Sequence, residues 1–110
     1  ESDIVHPKGR KHIVENGVEY ELLTKDMNCS MEFCQLTLLP GSTTENSSMR
    51  HKGEEVALVI SGSFMLSLNG NFVELNEGDS IRINPMVSHY WVNNSNEKAI
   101  LVFAVTPPSF

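Results

Sequence analysis

Two separate stretches in the second half of the chain contain residues whose side chains can hold a metal ion or anchor a polar ligand. The first stretch contains His51 and Glu55 and ends at Gly62, and the second runs from Gly78-Asp79 through Pro85 to His89 and Asn93. Imidazole and carboxylate groups bind transition metals and also form strong hydrogen bonds. Because the two stretches are distant in sequence, a shared site requires a fold that brings them together.

The elements that must position these residues read as β-strands, and no amphipathic helix stands out. The clearest strand places Phe64, Leu66 and Leu68 on one face, and Asn69-Gly70 after it predicts a tight hairpin turn. Further strands are predicted at 18–24, 31–39, 56–60, 72–75, 81–83, 90–92 and 99–106. Short strands between Gly and Pro turns indicate an all-β sandwich or barrel. Residues 56–60 are apolar on both faces, which predicts a strand in the middle of the sandwich.

Length and charge narrow the class of protein. The chain has 110 residues and a net charge of −6, which fits one domain, 1–110, with a core barrel at about 18–106 and a linker-like segment at 1–12. An acidic domain is a poor nucleic-acid binder by itself, because phosphates require clustered Lys and Arg. Lys8, Arg10 and Lys11 are the local exception, and we interpret them as a solvated tail rather than as a functional basic arm.

The lack of a recognisable signal peptide or membrane segment, together with the two cysteines, predicts a cytoplasmic protein. The start lacks the basic and then apolar pattern of a signal peptide, and no apolar run is long enough for a membrane helix. It also lacks an initiator methionine, so we expect a processed chain or a piece of a longer protein. Cys29 and Cys34 are five residues apart in one predicted strand and therefore on opposite faces, so we expect two reduced thiols.

The two stretches resemble the paired motifs of the cupin superfamily. In the first motif, His51, Glu55 and Gly62 match the family's second histidine, glutamate and glycine. In the second, Gly78-Asp79, Pro85, His89 and Asn93 match in order. The resemblance covers about Leu36 to Val105, and it implies a double-stranded β-helix, or jelly roll.

A narrower resemblance involves the two ends of the chain. Val105-Thr106-Pro107-Pro108-Ser109-Phe110 is similar to the ending of the C-terminal cupin domains of bacterial helix-turn-helix transcriptional regulators. Residues 17–24 resemble the first strand of those domains. The resemblance implies that DNA would be contacted through a separate domain absent from this chain.

The cupin resemblance implies a metal site with one ligand changed. Cupin sites use three histidines and a glutamate, and Met49 stands here in place of the first histidine. A thioether is a soft ligand, unsuited to Fe, Mn, Ni or Zn at a nitrogen and oxygen site. His51, Glu55 and His89 remain, and two histidines with one carboxylate are a known arrangement for non-haem iron. One divalent metal is therefore a possible cofactor, and an alternative is that His51 lies on the surface and His89 hydrogen-bonds a ligand directly.

The same residues define a predicted small-molecule pocket. His51, Glu55 and His89 would be its polar anchors, with or without metal, while Met49 and Trp91 would line it. No nucleophile triad or phosphate-binding loop occurs in the sequence, so we assign no catalytic residue.

Two functions from different classes follow. The first is a cytoplasmic, ligand-sensing and dimerisation domain of a helix-turn-helix regulator, which binds an unknown small-molecule effector and forms a homodimer. The second is a metal-dependent cupin enzyme of the oxygenase or isomerase type. A barrel that binds a metabolite without regulating anything would have the same sequence features.

Overall fold

The structure, a computed structural model, describes residues 3–46 and 52–108. A 3-10 turn at Pro7–Gly9 precedes the strands. Within the described ranges the strands are β1 His12–Glu15, β2 Val18–Leu22, β3 Glu32–Leu38, β4 Glu54–Ser61, β5 Ser63–Leu68, β6 Asn71–Asn76, β7 Ser80–Ile83, β8 His89–Val92 and β9 Ala99–Thr106. The all-β prediction is confirmed.

Two antiparallel sheets form the jelly roll. The larger has the order β1-β2-β3-β9-β4-β7 and the smaller has the order β6-β5-β8. The order shows that β9, the last strand, lies between β3 and β4, so that distant parts of the chain meet in the middle of the larger sheet. The two sequence stretches place Glu55 on β4 of the larger sheet and His89 on β8 of the smaller sheet.

The core fills the space between the inner faces of the two sheets. Strands alternate buried and more exposed residues, as in β2, where Val18, Tyr20 and Leu22 point inward. The largest fully buried apolar side chains are Phe64, Phe103, Leu36, Leu38, Leu66 and Leu101. The predicted inward face of Phe64 and Leu66 is therefore confirmed.

Residues 56–60 form part of β4, which lies between β9 and β7 in the larger sheet, but only one of their two apolar faces is buried. Val56, Leu58 and Ile60 are 49%, 40% and 46% exposed, whereas Ala57 and Val59 are buried. Strand β4 belongs to the larger sheet, whose inner face meets the smaller sheet and whose outer face has no third layer over it in the described chain.

Strand β1 was absent from the sequence-based prediction. All four of its residues are exposed, so it has no hydrophobic alternation to indicate a strand. Asn16 and Gly17 connect it to β2 with φ angles of 51° and 79°, the positive values that a two-residue hairpin turn requires. Asn69 and Gly70 have the same geometry, at 50° and 86°, so this predicted turn is confirmed.

Replacing Gly62 with alanine is expected to destabilise the fold more than the same change at Gly70. Both glycines have positive φ, but an added Cβ at Gly62 would lie 2.8 Å from the Lys98 carbonyl oxygen, while at Gly70 it would meet nothing within 4 Å. Left-handed backbone costs about 1–2 kcal/mol for an alanine, and overpacking adds about 1–3 kcal/mol at Gly62. Urea unfolding of both variants measures the difference, and equal losses would contradict the expected clash.

Candidate functional site

Glu55 and His89 meet inside the fold. Glu55 lies on the inner face of β4 in the larger sheet, and His89 is the first residue of β8 in the smaller sheet. His89 Nε2 is 3.0 Å from Glu55 Oε1. The side chains of His89 and Glu55 are 11% and 1% exposed. The pair therefore connects the two sheets across the interior of the jelly roll.

Local structure fixes the backbone at both residues. The alternation of β4 that buries Ala57 and Val59 also turns Glu55 inward. Before β8, the Ser88 N–H donates to Asn69 Oδ1 at 2.9 Å, and the Asn69 N–H donates to the Ser88 carbonyl at 2.8 Å. The β5–β6 turn thus holds the start of β8, and these hydrogen bonds position the backbone that carries the imidazole.

The pKa of His89 is raised above its ordinary value of 6.5 by two groups that outweigh its burial. Burial opposes the charged imidazolium, but the hydrogen bond and negative charge of Glu55, together with a hydrogen bond to the Val87 backbone, favour it. The arrangement therefore favours an imidazolium–carboxylate pair, which can present a charged hydrogen-bonding group to a ligand.

A cavity of about 300 Å³ lies beside the pair. Its lining residues combine carboxylate, hydroxyl and aromatic groups, and they are Tyr20, Leu36, Thr44, Glu45, Glu55, Val87, Ser88, His89, Tyr90, Trp91 and Phe103. Small-molecule pockets are concave and combine aromatic or apolar walls with a few polar groups, and in this cavity polar groups form a large part of the lining. The cavity thus has room and chemistry for a small organic ligand.

Trp91 contributes to both the cavity wall and the core. It is 3% exposed and contacts Phe64 edge-on, with ring centroids 5.5 Å apart. Its backbone N–H donates to Thr44 Oγ1 at 2.9 Å, and its carbonyl accepts hydrogen bonds from Thr43 and Thr44. These bonds attach the segment after β3 to β8 beside the pocket.

The structure brings together three of the five predicted site residues. Glu55, His89 and Trp91 line the same cavity. Met49 and His51 lie outside the described residues, so their part in a ligand or metal site stays a prediction.

The metal prediction depends on His51. Within residues 3–46 and 52–108, no three His, Cys, Asp or Glu side chains are grouped closely enough to hold a metal ion. Glu55 and His89 provide one carboxylate and one imidazole, a donor chemistry that suits Fe, Mn, Ni or Zn. They fit two positions of the predicted set, and a third donor would have to come from beyond the described residues.

Sequence reasoning missed a second buried carboxylate. Glu32 is 0% exposed and pairs across the sheet with Val105, which also pairs with Glu55 on its other side. Both carboxylates therefore lie on the inner face at the same level of the sheet. The signal was present in the sequence, because Glu32 has the same parity as Cys34, Leu36 and Leu38, which were predicted to share one face.

The cysteines are both free, as predicted. The prediction that both lie in one strand is wrong, because Cys29 lies before β3. Cys34 is buried in β3, with its Sγ 3.9 Å from Glu32 Oε2. Burial first, and then the charge of Glu32, raises the pKa of the Cys34 thiol to about 12. A thiol that stays protonated is a poor nucleophile.

Asn93, the last residue of the second motif, is buried and hydrogen-bonds two separate parts of the chain. It is 0% exposed, and its Nδ2 donates to the carbonyls of Leu38 at 2.9 Å and Glu97 at 2.7 Å. Its Oδ1 accepts from the Ser95 N–H at 3.0 Å and from the Ser95 hydroxyl at 2.7 Å. Asn93 thereby joins the end of β3 to the loop between β8 and β9, which closes the fold near β8.

The described residues contain no helix with the length and apolar character needed to span a membrane.

Comparison with known proteins places this geometry in a family. The family model described as "Cupin domain" matches residues 35–105. A crystal structure of an RmlC-like cupin from Shewanella frigidimarina superposes with a TM-score of 0.76 at 19% identity, covering 94% of this chain and 89% of that one. The predicted jelly roll is confirmed by this likeness.

One sequence relative and one structural neighbour are transcriptional regulators or domains of them. The HTH-type transcriptional regulator PuuR of Escherichia coli is 35% identical over 74 residues, which are 67% of this chain and 40% of the regulator. The cupin domain of an XRE family transcriptional regulator from Enterobacter cloacae has a TM-score of 0.65 at 18% identity, covering 91% of this chain and 96% of that domain. This chain therefore belongs to the cupin family and is related to the cupin domains of helix-turn-helix regulators.

Proposed function

We propose that the chain is a small-molecule-binding cupin domain that senses an effector for a helix-turn-helix regulator. The observation that carries the proposal is the cavity in which the His89–Glu55 pair lies beside aromatic side chains. The charged pair would hold a polar group of the effector, and Trp91, Tyr20 and Phe103 would contact its apolar part. The volume of about 300 Å³ is at the small end for ligand pockets, which favours a small metabolite.

Sensing requires that the effector bind two states of the protein with different affinity. The His89–Glu55 pair connects the two sheets, so a ligand that changes the pair would change how the sheets meet. The likeness to PuuR, over 40% of that regulator's length, supports a link to a separate DNA-binding domain. The proposal also includes a single domain at 1–110, a homodimer and a cytoplasmic location.

The chain contains one tryptophan, and its position in the cavity wall supplies the test. We expect that a compound from a library of amino acids, amines, organic acids and sugars will change Trp91 fluorescence and raise the melting temperature. Saturation at about 100 times Kd adds about 2.7 kcal/mol to the stability of the folded state. Fluorescence titration and thermal unfolding are the two measurements.

The control separates the pocket from the rest of the surface. His89→Gln should lose most of the binding, whereas His6→Gln, at an exposed histidine, should bind like the wild type. A library without any hit, or hits that bind His89→Gln equally well, would contradict an effector site at this cavity.

A second candidate is a metal-dependent enzyme of the oxygenase or isomerase type. The pairing of an imidazole with a buried carboxylate favours it, since His51, Glu55 and His89 would then hold one divalent Fe, Mn, Ni or Zn ion. A bound metal would supply Lewis-acid or redox chemistry, and Glu55 and His89 would orient it between the sheets.

Elemental mass spectrometry distinguishes the two candidates. If the metal site exists, the purified wild type holds about one metal per chain and His89→Ala loses it, while His6→Ala keeps it. Met49→His should then raise the affinity, because it restores the family's missing ligand. Wild type without bound metal after incubation with each of the four ions would overturn the metal site and leave the effector-binding proposal.

A further inference from the structure

The outer face of the larger sheet has an uninterrupted apolar surface. Strands β4, β9 and β3 contribute seven outward side chains, here called the apolar band: Val56, Leu58, Ile60, Ile100, Val102, Ala104 and Phe33. Val56, Leu58, Ile60 and Phe33 are 49%, 40%, 46% and 38% exposed. A sheet face in contact with water normally carries polar residues, so this face requires an explanation.

The strand register makes these residues one patch. Val56 is directly opposite Ala104, which is opposite Phe33 on the next strand, and Leu58 is opposite Val102. A shallow apolar groove of about 230 Å³ runs among Phe33, Val56, Leu58, Val102 and Ala104. Such a groove can accept side chains from another surface.

Charged groups border the apolar band on two sides. On the β2 side, Gln35 donates to Glu21 at 3.1 Å, and Arg10 lies 3.6 Å from the same carboxylate. On the β7 side, Arg82 pairs with Glu54. An apolar centre with a polar border is the usual anatomy of a protein interface, and each border here carries both signs of charge.

The size of the face suits a second copy. The apolar band on β3, β9 and β4, together with its charged borders on β2 and β7, covers five strands. Five strands about 4.8 Å apart, over six residues of about 3.3 Å, span roughly 24 by 20 Å. The accessible area of corrugated side chains exceeds this flat area, which approaches the ~800 Å² that each partner contributes to a standard interface. Because Glu and Arg occur together on each border, two copies related by a two-fold axis can match opposite charges despite a net charge of −6 per chain.

We propose that the apolar band is the interface through which two copies of this chain pack sheet against sheet. This inference rests on the proposed function, because it assigns the surface of the proposed homodimer. It also links that surface to the pocket, since Glu55 and Val56 are neighbours on β4 and point to opposite sides. A shift of β4 when the pocket fills would therefore reach the interface directly.

Sedimentation equilibrium of the full 110-residue chain tests the interface. We expect a wild-type dimer, and we expect Val56→Lys and Leu58→Lys each to raise the dimer Kd at least about 100-fold, because each copy would then bury an unpaired ammonium group in the apolar centre of the interface. Met86→Lys is the control, since Met86 is an apolar residue that is 92% exposed in the loop between β7 and β8, away from the apolar band. Circular dichroism verifies that each variant is folded.

The outcomes also distinguish this inference from the proposed function. A wild-type monomer at all concentrations, or folded Val56→Lys and Leu58→Lys proteins that dimerise like the wild type, would overturn the interface. A monomeric wild type that still gives the Trp91 fluorescence response would overturn the interface while the effector site stands. A dimer sensitive to both lysine variants but without any ligand response would support the interface and count against the effector site.

Discussion

Replacing Asn93 with aspartate is expected to destabilise the fold by about 3–5 kcal/mol, although the two side chains have nearly the same shape. Asn93 Nδ2 donates to the Leu38 and Glu97 carbonyls in a fully buried position. A carboxylate there would lose both donated hydrogen bonds and place a negative charge against two carbonyl oxygens. An uncompensated buried charge typically costs this amount. Denaturant unfolding at neutral pH measures the loss.

The same substitution at Asn71 is the control. Asn71 begins β6 and is exposed, so Asn71→Asp should change the free energy of unfolding by no more than about 0.5 kcal/mol. A second variant, Ser95→Ala, removes one hydroxyl that donates to Asn93 Oδ1 and should cost about 1 kcal/mol. If Asn93→Asp were as stable as Asn71→Asp, the two donated bonds would not hold the loop between β8 and β9.

The expected loss at Asn93 shows what a motif does and does not reveal. The sequence matched Asn93 to the last position of the second cupin motif, and the family resemblance is confirmed by the match over residues 35–105. The hydrogen bonds, however, reach Leu38, which is 55 residues away in sequence. No local pattern contains that contact, because it depends on how the end of β3 meets the end of β8.

Strands could be predicted where one face is buried and the other is not. The alternation at Phe64, Leu66 and Leu68 and the Asn69-Gly70 turn identified β5 and β6, since each residue's environment is set by its neighbours on adjacent strands. Strand β1 lacks this alternation because all its residues are exposed. Its Asn16-Gly17 turn was the local signal that remained.

The outward side of β4 could not be predicted for a different reason. Val56, Leu58 and Ile60 are as apolar as core residues, and composition does not say whether a second sheet or a second copy of the chain covers them. Parity alone would have placed Glu32 inside, because it is two residues before Cys34. A charged residue at an inward position of an alternating strand is easily assigned to the surface, since buried carboxylates are rare.

The His89–Glu55 pair is expected to make stability depend on pH. The pKa of His89 is raised above 6.5 in the folded state, through Glu55 and the Val87 backbone and against its burial. The pair's stabilisation is therefore fully present below pH 6.5, the ordinary value, and it is lost as the pH rises through the folded-state pKa. Wild type should accordingly lose stability relative to Glu55→Gln as the pH is raised from about 6 to 9, the range in which histidine titrates.

The two partners should differ in what their removal costs. His89→Ala leaves a buried carboxylate without the imidazole and is expected to cost about 3–5 kcal/mol at pH 6. Glu55→Gln leaves a neutral amide that can still hydrogen-bond the imidazole, so we expect a smaller loss of about 1–3 kcal/mol. In Glu55→Gln, the burial of His89 is no longer offset by a carboxylate, so its pKa should fall. NMR titration of the His89 ring protons, with exposed His6 as the internal reference, measures that fall, and an unchanged His89 pKa would mean that the carboxylate 3.0 Å away does not control the imidazole's charge.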